Sequence, residues 1–277
     1  MAKGEGKGWA KGRIAENDPR IAKNAEAHRG KTYQSHVDPT ADRRRKAPPA
    51  SIVWTPTLAY AVGLLATDGC QTDGRHIAFP SADRDLVEIL LRCLGKANKI
   101  ATVRTRTGGL VYRTQFGDVL FCRWLSSIGV TPRKSLTLGA LDVPDDLILP
   151  CARGLLDGDG DITNFVHAPT KKTYPNYLYE RIVVGFNSAS RGHLEWLRRK
   201  LEPLVGVPGW LHVKPATADR HEFLTLRYGK ADGLRLLALV YRDQDVPRLE
   251  RKHRIWQSYV ERHPHAVKPV QSTSSPT

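Results

Sequence analysis

Asp68 and Asp159 are the two side chains on which chemistry can be built. Each stands before the last glycine of a stretch that occurs twice, Gly63-Leu64-Leu65-Ala66-Thr67-Asp68-Gly69 and Gly154-Leu155-Leu156-Asp157-Gly158-Asp159-Gly160. Both stretches continue an apolar run at helical spacing and stop at an aspartate and a glycine, as a helix stops when its last turn must present a carboxylate. A carboxylate there sits at the negative end of the helix dipole, at a cost of about 0.3–1 kcal/mol near the surface. Two such groups brought together repel further, and a divalent cation is the natural compensation. The oxygens of Asp68 and Asp159 with the backbone carbonyls of Gly69 and Gly160 suit Mg2+ or Mn2+, which keep several waters and take few protein ligands. Asp157, Asp159 and Asp161 also have the first spacings of a calcium loop. Ile162 stands where that loop needs glycine, however, and Ala168 where it needs its last acid.

The helices that carry these acids have a face made for close approach. Leu58, Val62 and Leu65 form one apolar stripe, while Ala59, Gly63 and Thr67 fall on another face, all of them small. Gly154 and Gly158 repeat the small face in the second copy. Glycine inside a helix costs about 0.5–1 kcal/mol relative to alanine. A glycine at each equivalent point therefore implies that two helix backbones touch there, with Gly63, Gly154 and Gly158 at the interface and both aspartates delivered to one place.

Charge names the kind of partner. The 277 residues carry a formal net charge of +15, which favours a polyanion, and no apolar run approaches a membrane span or forms a secretory leader. Nucleic acid is the better partner and a membrane is not expected. With phosphate oxygens completing their shell, metal ions at the paired acids would activate water and stabilise a leaving oxygen in an in-line attack. Cys70, Cys93, Cys122 and Cys151 show no CxxC spacing and read as reduced, half-buried thiols of a cytoplasmic protein, nucleoid-associated in a prokaryote. Residues 1–52 form a basic arm and linker, either a solvated tail or a short segment that folds on DNA, and residues 263–277 a disordered tail.

Between these ends the chain repeats itself. Laying Phe79 on Phe186 pairs Ser81 with Ser188, Arg84 with Arg191, Glu88 with Glu195, Leu90 with Leu197 and Arg92 with Arg199. The halves run over 53–145 and 146–262, and the second carries an insertion at 163–179 whose Lys171 and Lys172 make a basic tip. In the first half, residues 100–106 and 110–116 flank Gly108-Gly109 as a hairpin, with Thr102, Arg104 and Arg106 sharing one face of the first strand and Val111, Arg113 and Gln115 one face of the second, together a sheet face rich in arginines and amides. In the second, His212 and Lys214 alternate on one strand, and Thr225 and Arg227 on its partner. Such faces are either solvated or pressed against phosphates and base edges. Arg133-Lys134 forms a basic turn that Arg251-Lys252 echoes.

The paired motifs, the repeated element order and the basic turns resemble the LAGLIDADG homing endonucleases in their single-chain form, over about residues 55–262. The resemblance implies an α+β fold: a pseudo-twofold pair of αββαββα units, the motif helices packed at the interface and two antiparallel sheets forming a DNA-binding saddle. It implies a monomeric, metal-dependent double-strand endonuclease acting on a long DNA site. Its catalytic acids map onto Asp68 and Asp159, and its basic residues near the scissile phosphates onto Lys134 and Lys252, each of which could equally be an ordinary phosphate clamp. A non-cleaving DNA-binding regulator or an RNA splicing maturase on the same fold is the alternative, and the presence of both acids weighs against it. Ala66 and Thr67 depart from the family motif.

Overall fold

Helix α1, Pro56–Thr67, starts where Thr55, in extended conformation, accepts the Leu58 amide at 3.1 Å and Pro56 occupies the first turn. It ends at Asp68, whose amide bonds the Leu64 carbonyl at 3.0 Å. Every residue from Ala59 to Ala66 is buried, so the helix is apolar all round and lies at the centre of the fold. Its counterpart in the second half, named α4 below, is likewise buried over most of its length. The computed structural model describes residues 52–72, 74–167, 179–218 and 221–265, all within one unit, Ala47–Thr277. The basic arm over 1–51, the tip with Lys171 and Lys172, and the end of the tail lie outside the described residues.

After α1 come β1 (Cys70–Thr72), β2 (His76–Ser81), α2 (Arg84–Cys93), β3 (Ala101–Arg104), β4 (Leu110–Gly117) and α3 (Val119–Ser127). A 3-10 turn at Lys134–Leu136 and another at Asp145–Leu147 lead to α4 (Ile148–Asp157). The order then repeats as β5 (Asp161–His167), β6 (Tyr179–Ser188), α5 (Arg191–Val205), β7 (Trp210–Lys214), β8 (Phe223–Gly229) and α6 (Lys230–Val240). The two four-stranded antiparallel sheets have the same strand order, β1-β2-β4-β3 and β5-β6-β8-β7. This is the α+β pair of αββαββα units expected from the sequence, with Ile77, Phe79 and Phe116 of one sheet and Val184, Phe186, Leu224 and Leu226 of the other in a common core. No helix among the described residues is long and apolar enough to cross a membrane.

Three expectations need correction. Thr102 pairs with Tyr112 and Arg104 with Leu110, whereas Arg113 pairs with Ala101. Residues opposite one another across a ladder share a face. Thr102 and Arg104 thus share the side of Phe79, Thr114 and Phe116, and Arg113 and Gln115 lie on the other side. Arg106 sits in the turn. The Arg251-Lys252 segment, read as a turn, opens an additional helix, α7 (Glu250–Arg262), whose Tyr259 is buried. Among the free cysteines, Cys122 and Cys151 are fully buried and Cys70 is exposed, so they are not uniformly half-buried.

Candidate active site at the meeting of the motif helices

The approach of α1 and α4 is backbone on backbone. A Cβ on Gly63 would collide with the Cys151 carbonyl and come within 2.8 Å of the Leu155 nitrogen. One on Gly154 would collide with the Tyr60 carbonyl and stand 3.1 Å from the Gly63 Cα. Further along, a Cβ on Gly158 would collide with Thr67 Oγ1 and stand 3.1 Å from Asp68 Oδ2, so the carboxylate of the first motif lies against the main chain of the second. The three glycines therefore set how near the two helix ends come.

Asp68 and Asp159 sit at those ends in partly desolvated positions. Burial, reinforced by the Asp159 charge, pushes the Asp68 carboxyl up to about 7, against the pull of Lys252 and Lys134. Burial also raises Asp159, again opposed by the two lysines. Both lysines are depressed by burial, and the acids partly offset it. Four groups of opposite sign thus share one small region.

The lysines do something other than face a substrate. Lys134, reached through Arg133 in the left-handed conformation (φ 56°), donates to the Thr67 carbonyl at 3.2 Å and to that of Gly69. Lys252 donates to the carbonyls of Leu156, Asp157, Gly158 and Gly160 at 2.7, 2.8, 3.0 and 2.7 Å. An ammonium has three protons, so four acceptors use them all. Each lysine closes the C-terminal carbonyls of one motif helix. Lys252 is fully engaged as a cap, and the carbonyls of Gly69 and Gly160, expected to face a metal, already accept an ammonium. The two ammonium charges still pull on both acids.

Of the expected DNA contacts, His212, Lys214, Thr225 and Arg227 share one face of the second sheet, where His212 pairs with Thr225 and Trp210 with Arg227. That face lies opposite the buried Leu224 and Leu226. In the first sheet Arg113 donates to the Gln115 carboxamide at 3.3 Å.

No protein-family model matches the chain. No curated protein matches it in sequence. Among solved structures, the meganuclease I-SmaMI, bound to uncleaveable DNA, is similar over 76% of this chain and 92% of its own, with a TM-score of 0.50 and 10% identity. The I-LtrWI LAGLIDADG homing endonuclease, bound to target DNA, is similar over 77% and 93%, with a TM-score of 0.50 and 10% identity. The chain has the LAGLIDADG homing-endonuclease fold.

Within the LAGLIDADG frame several supporting residues carry no motif signature. Asp157 is 1% exposed and stands where Ala66 stands in the first motif; it accepts from the Tyr60 hydroxyl at 2.8 Å and the Leu249 amide at 2.7 Å. Burial pushes its carboxyl up to about 6. Arg153, 1% exposed, donates to the carbonyls of Val240 at 2.7 Å and Asp243 at 2.8 Å and to that of Val246, holding the loop that leads to Lys252. A charged residue on each side of the second motif's leucines was the one available signal. Asn187 was not singled out at all; its amide donates to the Asp159 carbonyl at 2.8 Å and to Asp161 Oδ1 at 3.0 Å.

The raised Asp68 carboxyl has a measurable consequence. Without divalent cation the folded chain holds a proton there up to about pH 7, which the unfolded chain releases near pH 4. Its contribution to stability therefore falls as pH rises from about 4 to about 7 and levels off above. Thermal melts in EDTA are expected to follow that fall, and Asp68→Asn to remove part of it. Parallel melting-versus-pH curves for the two proteins would refute this.

Proposed function

We propose that the chain is a homing-type DNA endonuclease, cutting both strands at a long specific site as a monomer with Mg2+ or Mn2+. The observation that carries the reading is the delivery of Asp68 and Asp159 to one point by the packed helices α1 and α4. The donor set fits a hard divalent cation. Two desolvated carboxylates that repel one another gain from one, and no cluster of three or more His, Cys, Asp or Glu occurs among the described residues, so water and DNA oxygens would complete the shell. Bound there, the cation supplies an activated water and charge stabilisation for the leaving oxygen.

The chain's own residues do the rest. Asp68 and Asp159, one from each half, are the residues that would hold the cation. Lys134 and Lys252 keep the two motif turns in shape and lend positive charge beside them. The faces bearing Arg113 and Gln115, and His212, Lys214 and Arg227, bind along the duplex, consistent with the excess of positive charge, while Thr225, expected there too, is buried with its hydroxyl on Asn187. A regulator or maturase on this fold would have no use for two acids kept at such electrostatic cost.

Cleavage selection on a randomised duplex library with Mg2+ tests the reading. A discrete site, long for a nuclease and cut in both strands, is expected. Enrichment of bound but intact DNA would replace the nuclease by the regulator.

A further inference from the structure

The two centres are built on the same plan but are not the same. Register makes the comparison exact to the residue: Phe79 corresponds to Phe186, so Pro80 corresponds to Asn187, and their cross-strand partners are Arg113 and Thr225. In the strands that leave the motifs, Cys70 opposes Ala78 as Asp161 opposes Gly185, which makes Cys70 the counterpart of Asp161.

In the second half these positions form a continuous chain of hydrogen bonds. Thr225 Oγ1 donates to Asn187 Oδ1 at 2.7 Å, and Asn187 Nδ2 donates to the Asp159 carbonyl at 2.8 Å and to Asp161 Oδ1 at 3.0 Å. Thr163 Oγ1 completes it on Asp161 Oδ2 at 3.0 Å. Three strands are thereby tied to the main chain of one catalytic acid. In the first half the place of the amide is taken by proline, which has no side-chain donor, and the place of Thr225 by Arg113, which donates to the Gln115 carboxamide instead. The lysine caps differ in the same sense: Lys252 holds four carbonyls of its motif, Lys134 two.

We propose that Asn187 is a positioning residue for Asp159 and that the two strands of the target are cut at unequal rates, the centre built around Asp159 acting first. This rests on the nuclease reading. The reason is preorganisation: Asp68 is held by its helix, by the Lys134 cap and by a 3.5 Å contact with the Thr67 hydroxyl, whereas Asp159 is tied to the sheet as well as to its cap and loses less freedom on meeting its phosphate.

The experiment follows each strand separately, on a supercoiled plasmid bearing the selected site, with the two strands distinguished by end-specific primers. Wild type should pass through a nicked intermediate of one polarity. Asn187→Leu, close in size and without a donor, should slow that faster strand by about tenfold, the usual loss when a group that orients a metal-binding residue is removed, and leave the slower strand within about twofold. Equal strand rates in the wild type, an equal slowing of both strands, or a selective slowing of the slower one would each overturn the proposal.

A second readout does not depend on cutting. Amide hydrogen exchange in apo protein should quicken over residues 157–161 in Asn187→Leu and stay unchanged over 66–70. Unchanged exchange at 157–161 overturns the positioning role even if the nuclease reading stands. Accelerated exchange in a protein that cuts no library member supports the positioning role, while the nuclease reading and the strand order fall.

Discussion

Asp68→Asn and Asp159→Asn are each expected to reduce double-strand cleavage by roughly a thousandfold while leaving affinity for the target little changed. On the proposed reading each carboxylate would supply charge that a divalent cation needs, and the electrostatic help from such an ion is worth several kcal/mol, about tenfold in rate for each 1.4 kcal/mol. Asparagine keeps the size and one oxygen but not the charge. On the same reading DNA affinity would rest on other groups, the exposed arginines and lysines of the sheet faces, and removing a negative charge beside phosphates tends if anything to strengthen binding. Cleavage of the selected site at saturating enzyme, with binding measured by fluorescence anisotropy in Ca2+, separates the two quantities. A variant that still cuts at a tenth of the wild-type rate would remove its aspartate from the catalytic role.

Gly154→Ala is expected to be the most destabilising single methyl in the chain. The added carbon would collide with the Tyr60 carbonyl oxygen, lie 3.0 Å from the Tyr60 carbonyl carbon and 3.1 Å from the Gly63 Cα. All three are main-chain atoms, so no rotamer change relieves the clash, and α1 must move away from α4. Overpacking a core costs about 1–3 kcal/mol and more where nothing yields. Moving α1 also loosens the packing of the buried Leu64, Ala152 and Leu156. We expect a loss of about 3 kcal/mol or more, or roughly 10 °C in Tm for a domain of this size. Gly192→Ala is the control: its Cβ meets nothing within 4 Å in the first turn of α5, and alanine there should be neutral or slightly stabilising. Equal melting temperatures for the two variants would show that the glycine contact is not what fixes the helix separation.

Much of this was written in the sequence because it depends on local rules. Glycine spacing and the aspartate stops define α1 and α4, and alternation defines the strands. What stayed hidden depends on pairing. Which face Thr102 shares with which residue of β4 follows from the length of the turn around Gly108, and one step of register moves every side chain across the sheet. Lys252 was found as a basic residue, but its task was not, because the helix that carries it looks polar and its acceptors are backbone carbonyls that no composition reports. Asn187 was invisible for a related reason: its partners are more than twenty residues away, and asparagine in a strand has no signature.

At Gly63 and Gly154 the seam between α1 and α4 is made of peptide groups and hydrogens, and peptide groups are alike in every protein. It therefore fixes distance without conferring identity. What tells one half that it has met its own partner lies in side-chain contacts: Tyr60 on Asp157 at 2.8 Å within the seam, and at the rim Arg251 on Asp83 at 2.8 Å, Lys200 on Asp145, Ser190 on the Leu138 carbonyl, and His193 against the Gly139 carbonyl at 3.0 Å. Halves of this architecture are in that sense interchangeable parts. A chimaera that keeps the glycine contacts needs the Tyr60–Asp157 pair retained and the rim contacts rewritten to join one half to another.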